Sequence, residues 1–237
     1  NVSRRAVRWG CRAVGIACLL ITTAAGAGET WETFASGTGV NGPVRAVTTF
    51  DGDLIVGGQF GTAGGVPGTF VIADWDGTAW SALGSGLNDT VMCLATFDDG
   101  SGNGTELYAG GYFKTADGSA GNYIAKWDGS SWSPLGSGMN GAVFSLTTFK
   151  GALYAGGAFT KAGGTTVNRI AKWNGSAWSK VANGMNGTVH ALTNFGTDLI
   201  AGGEFTKVGN ANGFNRIAKW NGSAWSKLGS GVGGIST

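Results

Sequence analysis

The side chains that could do chemistry are few. There is one histidine, His190, in 237 residues. A Ser–His–Asp relay would have to run through that single imidazole. A structural zinc site needs several His or Cys ligands. Of the three cysteines, Cys11 and Cys18 fall in the N-terminal segment read below as a signal, which leaves Cys93 and His190, one ligand of each kind and too few. The other candidate lies in the run Asp98-Asp99-Gly100-Ser101-Gly102-Asn103-Gly104-Thr105-Glu106. Asp99, Ser101 and Asn103, with Gly104 behind them, mimic the start of an oxygen-ligand calcium loop. The acid such a loop needs at its twelfth position falls on Gly110. The match is partial, and a polar surface loop is the competing reading.

A third chemistry needs two carboxylates flanking a glycosidic bond. Only 14 acids are available. Asp76 and Asp128 sit beside glycines in turn-like sequence, and no pair of acids recurs in register. A secreted carbohydrate-active enzyme with channel-lining carboxylates is therefore the alternative expectation, and a non-enzymatic protein the leading one. No cofactor is expected beyond the calcium candidate.

The composition says what holds these residues. Glycine supplies 46 residues and proline only 3, while 42% of the chain is hydrophobic. Collagen is excluded, because glycine has no three-residue period. Disorder driven by charge is excluded, because only 13% of residues are charged. Residues 1–27 read as a secretory signal peptide: Arg4, Arg5, Arg8 and Arg12, then an apolar run from Ala13 to Ala25, then small residues at Ala25-Gly26-Ala27. The apolar run falls short of the roughly 20 residues a spanning helix needs. The whole chain carries 16 basic and 14 acidic residues. Four arginines leave with the signal, so 12 basic residues face 14 acidic ones, a net −2. No basic footprint for nucleic acid remains. Cys93 alone remains of the cysteines, so no internal disulfide is expected. The expected location is secreted, periplasmic or on the cell surface, with no membrane span after cleavage.

Residues 28–237 are organised by a repeat. One tryptophan series runs Trp75, Trp127, Trp173, Trp220, and a second runs Trp80, Trp132, Trp178, Trp225. Gly-Gly recurs at 57–58, 110–111, 156–157 and 202–203. The units fall at about 44–84, 91–136, 143–182 and 189–229. Each reads as four short strands, a to d, rich in β-branched and aromatic residues and bounded by Gly, Asn and Asp. Trp31 matches the second tryptophan of a preceding unit and predicts a lone extra strand. In strand a, apolar residues recur every third position, as at 44, 47 and 50, which predicts burial on both faces. Asn174-Gly175 predicts a two-residue type I′ turn between c and d. That register pairs Ala171 with Trp178 and sets Trp173 diagonally from Trp178. The glycine pair of strand b is expected to let an indole approach the backbone.

Four strands per unit of 40–50 residues is the pattern of a propeller blade. The order Leu153-Tyr154-Ala155-Gly156-Gly157, then Ile170-Ala171-Lys172-Trp173, then Trp178 resembles kelch-type, galactose-oxidase-like repeats, as in tandem arrays of secreted bacterial proteins. It departs from them in having Trp where Tyr is common at the end of strand c. The resemblance implies an all-β propeller of four-stranded antiparallel blades, and a binding or scaffolding role. Four full units plus the strand at Trp31 predict an incomplete ring. Within the repeat, some positions vary while their neighbours stay fixed. These include Gln59, Tyr112, Ala158 and Glu204 after Gly-Gly, the set Arg45, Met92, Phe144 and His190 in strand a, and the b–c loops around 66–70, 117–122, 165–168 and 210–215. Packing does not constrain them, so Gln59, Tyr112, Glu204, Arg45 and His190 are the candidates for contact with a protein or polysaccharide partner.

Overall fold

The computed structural model describes residues 39–233. The signal at 1–27, the strand predicted at Trp31 and the last four residues lie outside the described residues. Four four-stranded antiparallel sheets follow one another along the chain. The first is β1 (Val44–Phe50), β2 (Asp53–Gly58), β3 (Ile72–Trp75) and β4 (Trp80–Ser81). The second is β5 (Val91–Asp98), β6 (Thr105–Gly111), β9 (Ile124–Trp127) and β10 (Trp132–Pro134), with a small hairpin, β7 (Thr115–Ala116) and β8 (Ser119–Ala120), between b and c. The third is β11 (Val143–Phe149), β12 (Ala152–Gly157), β15 (Ile170–Trp173) and β16 (Trp178–Lys180), with β13 (Lys161–Ala162) and β14 (Thr165–Thr166) as its hairpin. The fourth is β17 (Val189–Phe195), β18 (Asp198–Gly203), β21 (Ile217–Trp220) and β22 (Trp225–Lys227), with the hairpin β19 (Lys207–Val208) and β20 (Ala211–Asn212). No helix among the described residues is long and apolar enough to cross a membrane.

The blades stack through their first strands: β1 packs on β5, β5 on β11 and β11 on β17. These strands therefore form the inner wall, and the d strands lie outermost. Strand alternation sends each blade's two faces to different neighbours. In the first blade, Ile55 and Ile72 join Val91, Leu107 and Trp127 of the second in one apolar cluster. Tyr108, Ile124 and Leu135 of the second blade join Val143, Leu153 and Trp173 of the third. Tyr154, Ile170 and Val181 of the third join Val189, Leu199 and Trp220 of the fourth. The core is thus three seams and a fourth cluster within the first blade, of Val56, Phe60, Ala63, Ala73 and Trp80, rather than one centre.

Two local expectations are corrected, and a third, burial on both faces of strand a, holds for a different reason. The c–d connection is a four-residue turn, with Trp173 directly opposite Trp178 and Ala171 opposite Lys180. Only Gly175 has positive φ in that turn, whereas a type I′ turn needs two such residues. The cause is the Asn174 side chain, whose Oδ1 accepts the N–H groups of Ser176 and Ala177 at 3.0 and 2.8 Å and so builds an Asx turn. Direct pairing puts the two indoles 5.3 Å apart at 50°, and the other three blades repeat this at 5.1, 5.5 and 5.3 Å. Such pairs add about 0.5–1.5 kcal/mol beyond the area they bury.

The glycine pair admits no indole. A Cβ on Gly57, Gly110 or Gly156 would lie 2.6 Å from a methyl of Val91, Val143 or Val189 in the next blade. A Cβ on Gly58, Gly111, Gly157 or Gly203 would strike the carbonyl of Pro43, Thr90, Ala142 or Thr188 at 2.0–2.2 Å. The first glycine is a socket for the neighbouring valine. The second gives room to the loop leading into its own blade.

The three-residue spacing in strand a also has another cause. The register of β1 against β2 shifts between Val44 and Ala46, leaving Arg45 as an extra residue. The bulge changes the phase of the alternation, so Val44 and Val47 share one face and Phe50 takes the other.

Candidate functional site

The same bulge occurs in every blade. It leaves Arg45, Met92, Phe144 and His190 outside the ladder of strand a. A bulged residue is not held by cross-strand pairing, and its side chain is re-aimed. This is why these four positions carry four different chemistries. The bulge is opposite the second glycine of strand b, so the residue after Gly-Gly stands beside it. The two variable sets are therefore one surface, at the end of the inner wall where each a strand begins.

On the second to fourth blades this surface is a continuous strip. Tyr112 meets Phe144 edge-on at 5.7 Å between ring centroids. Phe144 stacks on His190 at 5.4 Å and 23°. His190 Nε2 lies 3.2 Å from Glu204 Oε1. Tyr112 is 44% exposed, and the side chains of His190 and Glu204 are 51% and 68% exposed, so the strip faces solvent. Hydrogen bonds from His190 and Thr188, together with the His190 charge, hold the Glu204 carboxyl below its ordinary value. In the third blade the residue after Gly-Gly is the small Ala158, and the guanidinium of Arg169 donates to its carbonyl. Arg169 adopts positive φ, as do Tyr123 and Arg216 at the matching positions.

Three of the five predicted partner residues, Tyr112, His190 and Glu204, are thus brought together. Arg45 and Gln59 occupy the matching places in the first blade. Gln59 lines an open groove of about 610 Å³ with the exposed Phe70, Asn88 and Asp89. Sequence reasoning missed the linking role of Phe144 and the cation at Arg169. The first was legible as a member of the variable set. The second was not, because an arginine in a loop has no spacing that announces its target.

The calcium candidate lies at the opposite end of the blades. Asp99 bonds inward as well as to its own loop. Its Oδ2 accepts from Lys126 Nζ at 3.0 Å and from the Tyr108 hydroxyl at 3.3 Å, while Oδ1 accepts the Ser101 N–H. Lys126 also donates to the buried Glu106 at 2.8 and 2.9 Å. Burial alone would raise the Asp99 pKa, but hydrogen bonds from Ser101 and Lys126 and the Lys126 charge bring it down to about 2. The ammonium thus occupies the electrostatic role a calcium ion would need. Ser101 is exposed, and Asn103 lines a groove of about 520 Å³ with Thr96, Thr105 and Asp128. No group of three or more His, Cys, Asp or Glu that could hold a metal occurs among the described residues. Asp128 spends its carboxylate on its own turn, accepting from Ser130 and Ser131. Asp76 does the same with Thr78 and Ala79.

Fold and strip together define the class: an open, propeller-like array of four-stranded blades with a ring-lined rim. No family model and no curated protein matches the chain. Among solved structures, the computationally designed Ika4 protein is similar at 16% identity over 77% of this chain and 92% of its own, with a TM-score of 0.46. The computationally designed Ika8 protein is similar at 16% identity over 77% of this chain and 46% of its own, with a TM-score of 0.44.

Proposed function

We propose that this chain is a non-enzymatic binding scaffold that holds a polysaccharide or protein partner along the strip Tyr112–Phe144–His190–Glu204. The observation that carries this is the convergence. The positions freest of packing within the repeat are neighbours in space, and they present a row of three rings, one edge-on and two stacked, ending in a carboxylate. Flat rings in a row offer apolar faces to a sugar chain, and the His190–Glu204 pair offers hydrogen-bond donors and acceptors beside them. Those features favour the polysaccharide over the protein. The chain is further inferred to be exported through residues 1–27, with repeats of kelch type; the Gly-Gly in strand b and the four-stranded blade support that reading.

The test is binding to a panel of immobilised polysaccharides, compared with Phe144→Ala and Tyr112→Ala. One or more glycans should be retained, and each substitution should weaken retention about tenfold. Product release from the same glycans would instead favour a carbohydrate-active enzyme. Unchanged retention by both variants would remove the strip from the binding site.

A further inference from the structure

Each seam between blades joins two unlike faces. The outgoing face carries the socket glycine, the Phe at the end of strand a and the Ile that opens strand c. The incoming face carries the valine that fills the socket and the apolar residue three positions later. Three seams within the chain use this pairing. The first and fourth blades each have one face that does not.

Burial at matching positions identifies both faces. Val91, Val143 and Val189 are fully buried, but Val44 is half-buried. Leu146 and Leu192 are 8% exposed, whereas Val47 at the same position is 60% exposed. On the fourth blade, Phe195 is 76% exposed, while its equivalents Phe97 and Phe149 are 8% and 6% exposed. Ile72, Ile124 and Ile170 are fully buried, but Ile217 is only half-buried. The socket itself is vacant: a Cβ on Gly202 would meet nothing within 4 Å, where those on its three equivalents meet a valine at 2.6 Å. Strand β17 has no packing on β1 among the described residues comparable to the three seams. Among the described residues, nothing in the same molecule fills that socket.

We propose that the incoming face of one copy docks on the outgoing face of a second copy, with Val44 seated on Gly202 and Val47 beside Phe195. The occupant is argued from continuity with the seams. The two faces are the halves of an interface this sequence already makes three times. Joining unlike faces is a heterologous contact, which closes into a ring or continues, according to the rotation between copies.

Sedimentation velocity of the full chain over a concentration series tests this. The expected mass rises above the 23.9 kDa of one chain. A Cβ at Gly202 meets nothing within 4 Å in the isolated molecule, so for Gly202→Val circular dichroism should be unchanged while association weakens about tenfold or more. Val47→Glu should do the same from the other face. Each variant keeps one good face. Mixing the two should therefore restore a species of two chains and nothing larger, which a contact between like faces would not give. A single-chain mass throughout would overturn the proposal and assign both faces to some other cover, such as further blades. Association that survives both substitutions would overturn it equally.

Discussion

Asp74 shows how one side chain departs from its repeat. The matching residues are Lys126, Lys172 and Lys219. Lys126 pairs with Glu106 and Lys219 with Asp198 across strands b and c. The first blade keeps the acid, Asp53, but puts an aspartate diagonally across from it, since Asp74 pairs with Ile55. Burial, then the charges of Asp53 and Asp76, push the Asp74 carboxyl up from 3.8 to about 6. Its buried Oδ1 has no hydrogen-bond partner. A carboxyl raised in the folded state takes up a proton on folding, so its ionisation opposes the fold. Its contribution should decline as pH rises from about 4 to about 6 and stay low above that. Asp74→Lys should remove this decline and add about 1 kcal/mol at neutral pH. Urea denaturation of the two proteins across that range would show it; parallel curves would refute the assignment. Asp99 and Asp128 act in the opposite sense. Both are brought down to about 2, so what they contribute is present above 3.8 and lost as pH falls toward 2. Little of this was legible beforehand. The substitution of Asp for Lys and the nearby Asp76 are visible in the sequence, but Asp53 becomes a partner only once β2 and β3 pair.

The strand and its turn were legible in kind and misread in detail. Asn-Gly signals a tight turn, but it does not say whether the backbone or the Asn side chain closes it. Here Asn174, Asn221, Asp76 and Asp128 each accept two N–H groups. Asn174→Ala should cost about 1 kcal/mol, from the loss of those bonds. Another set of side chains escaped notice altogether. Asn41, Asn88, Asn140 and Asn186 each accept two backbone N–H groups from the start of the b–c segment, at 2.7–2.9 Å. Their recurrence was visible, but a lone Asn in a Gly-rich loop suggests a turn rather than a long-range anchor. The glycines give the sharpest contrast. Gly156→Ala should destabilise by about 1–3 kcal/mol, because the methyl enters the space of Val189. Gly202→Ala should be neutral or slightly stabilising in the dissociated chain, since its socket is empty and alanine restricts the unfolded state more. Thermal melts of the pair at low concentration would measure the difference. Equal losses at both sites would contradict the socket account.

At the scale of the molecule, the four described blades, the strand count per blade and the all-β class followed from the tryptophan and glycine spacing. The seams did not, because they depend on which face of each strand meets which neighbour, and one bulge inverts that assignment. Stability shared among seams is nearest-neighbour stability. The third blade has a seam on each side, whereas the first and fourth each lack one. Amide hydrogens of β17, β18 and β21 should exchange faster than those of β11, β12 and β15 under native conditions. The indole N–H groups of Trp132 and Trp178 reinforce the inner seams by donating to Leu83 and Leu135 in the preceding blade, at 3.0 and 3.1 Å. Trp178→Phe should remove one such link and cost about 1 kcal/mol. Uniform exchange across the four blades would instead indicate one cooperative unit.

The bulge in strand a has a consequence for how such a surface changes. A residue outside the ladder can be exchanged without unpicking the sheet, and each blade supplies one such place, as Arg45, Met92, Phe144 and His190 already illustrate. The rim behaves like a line of movable type: the frame holds the spacing, the characters are independent, and duplicating a blade lengthens the line by one. A library randomised at these four residues and at those following Gly-Gly would explore recognition while leaving the seams untouched.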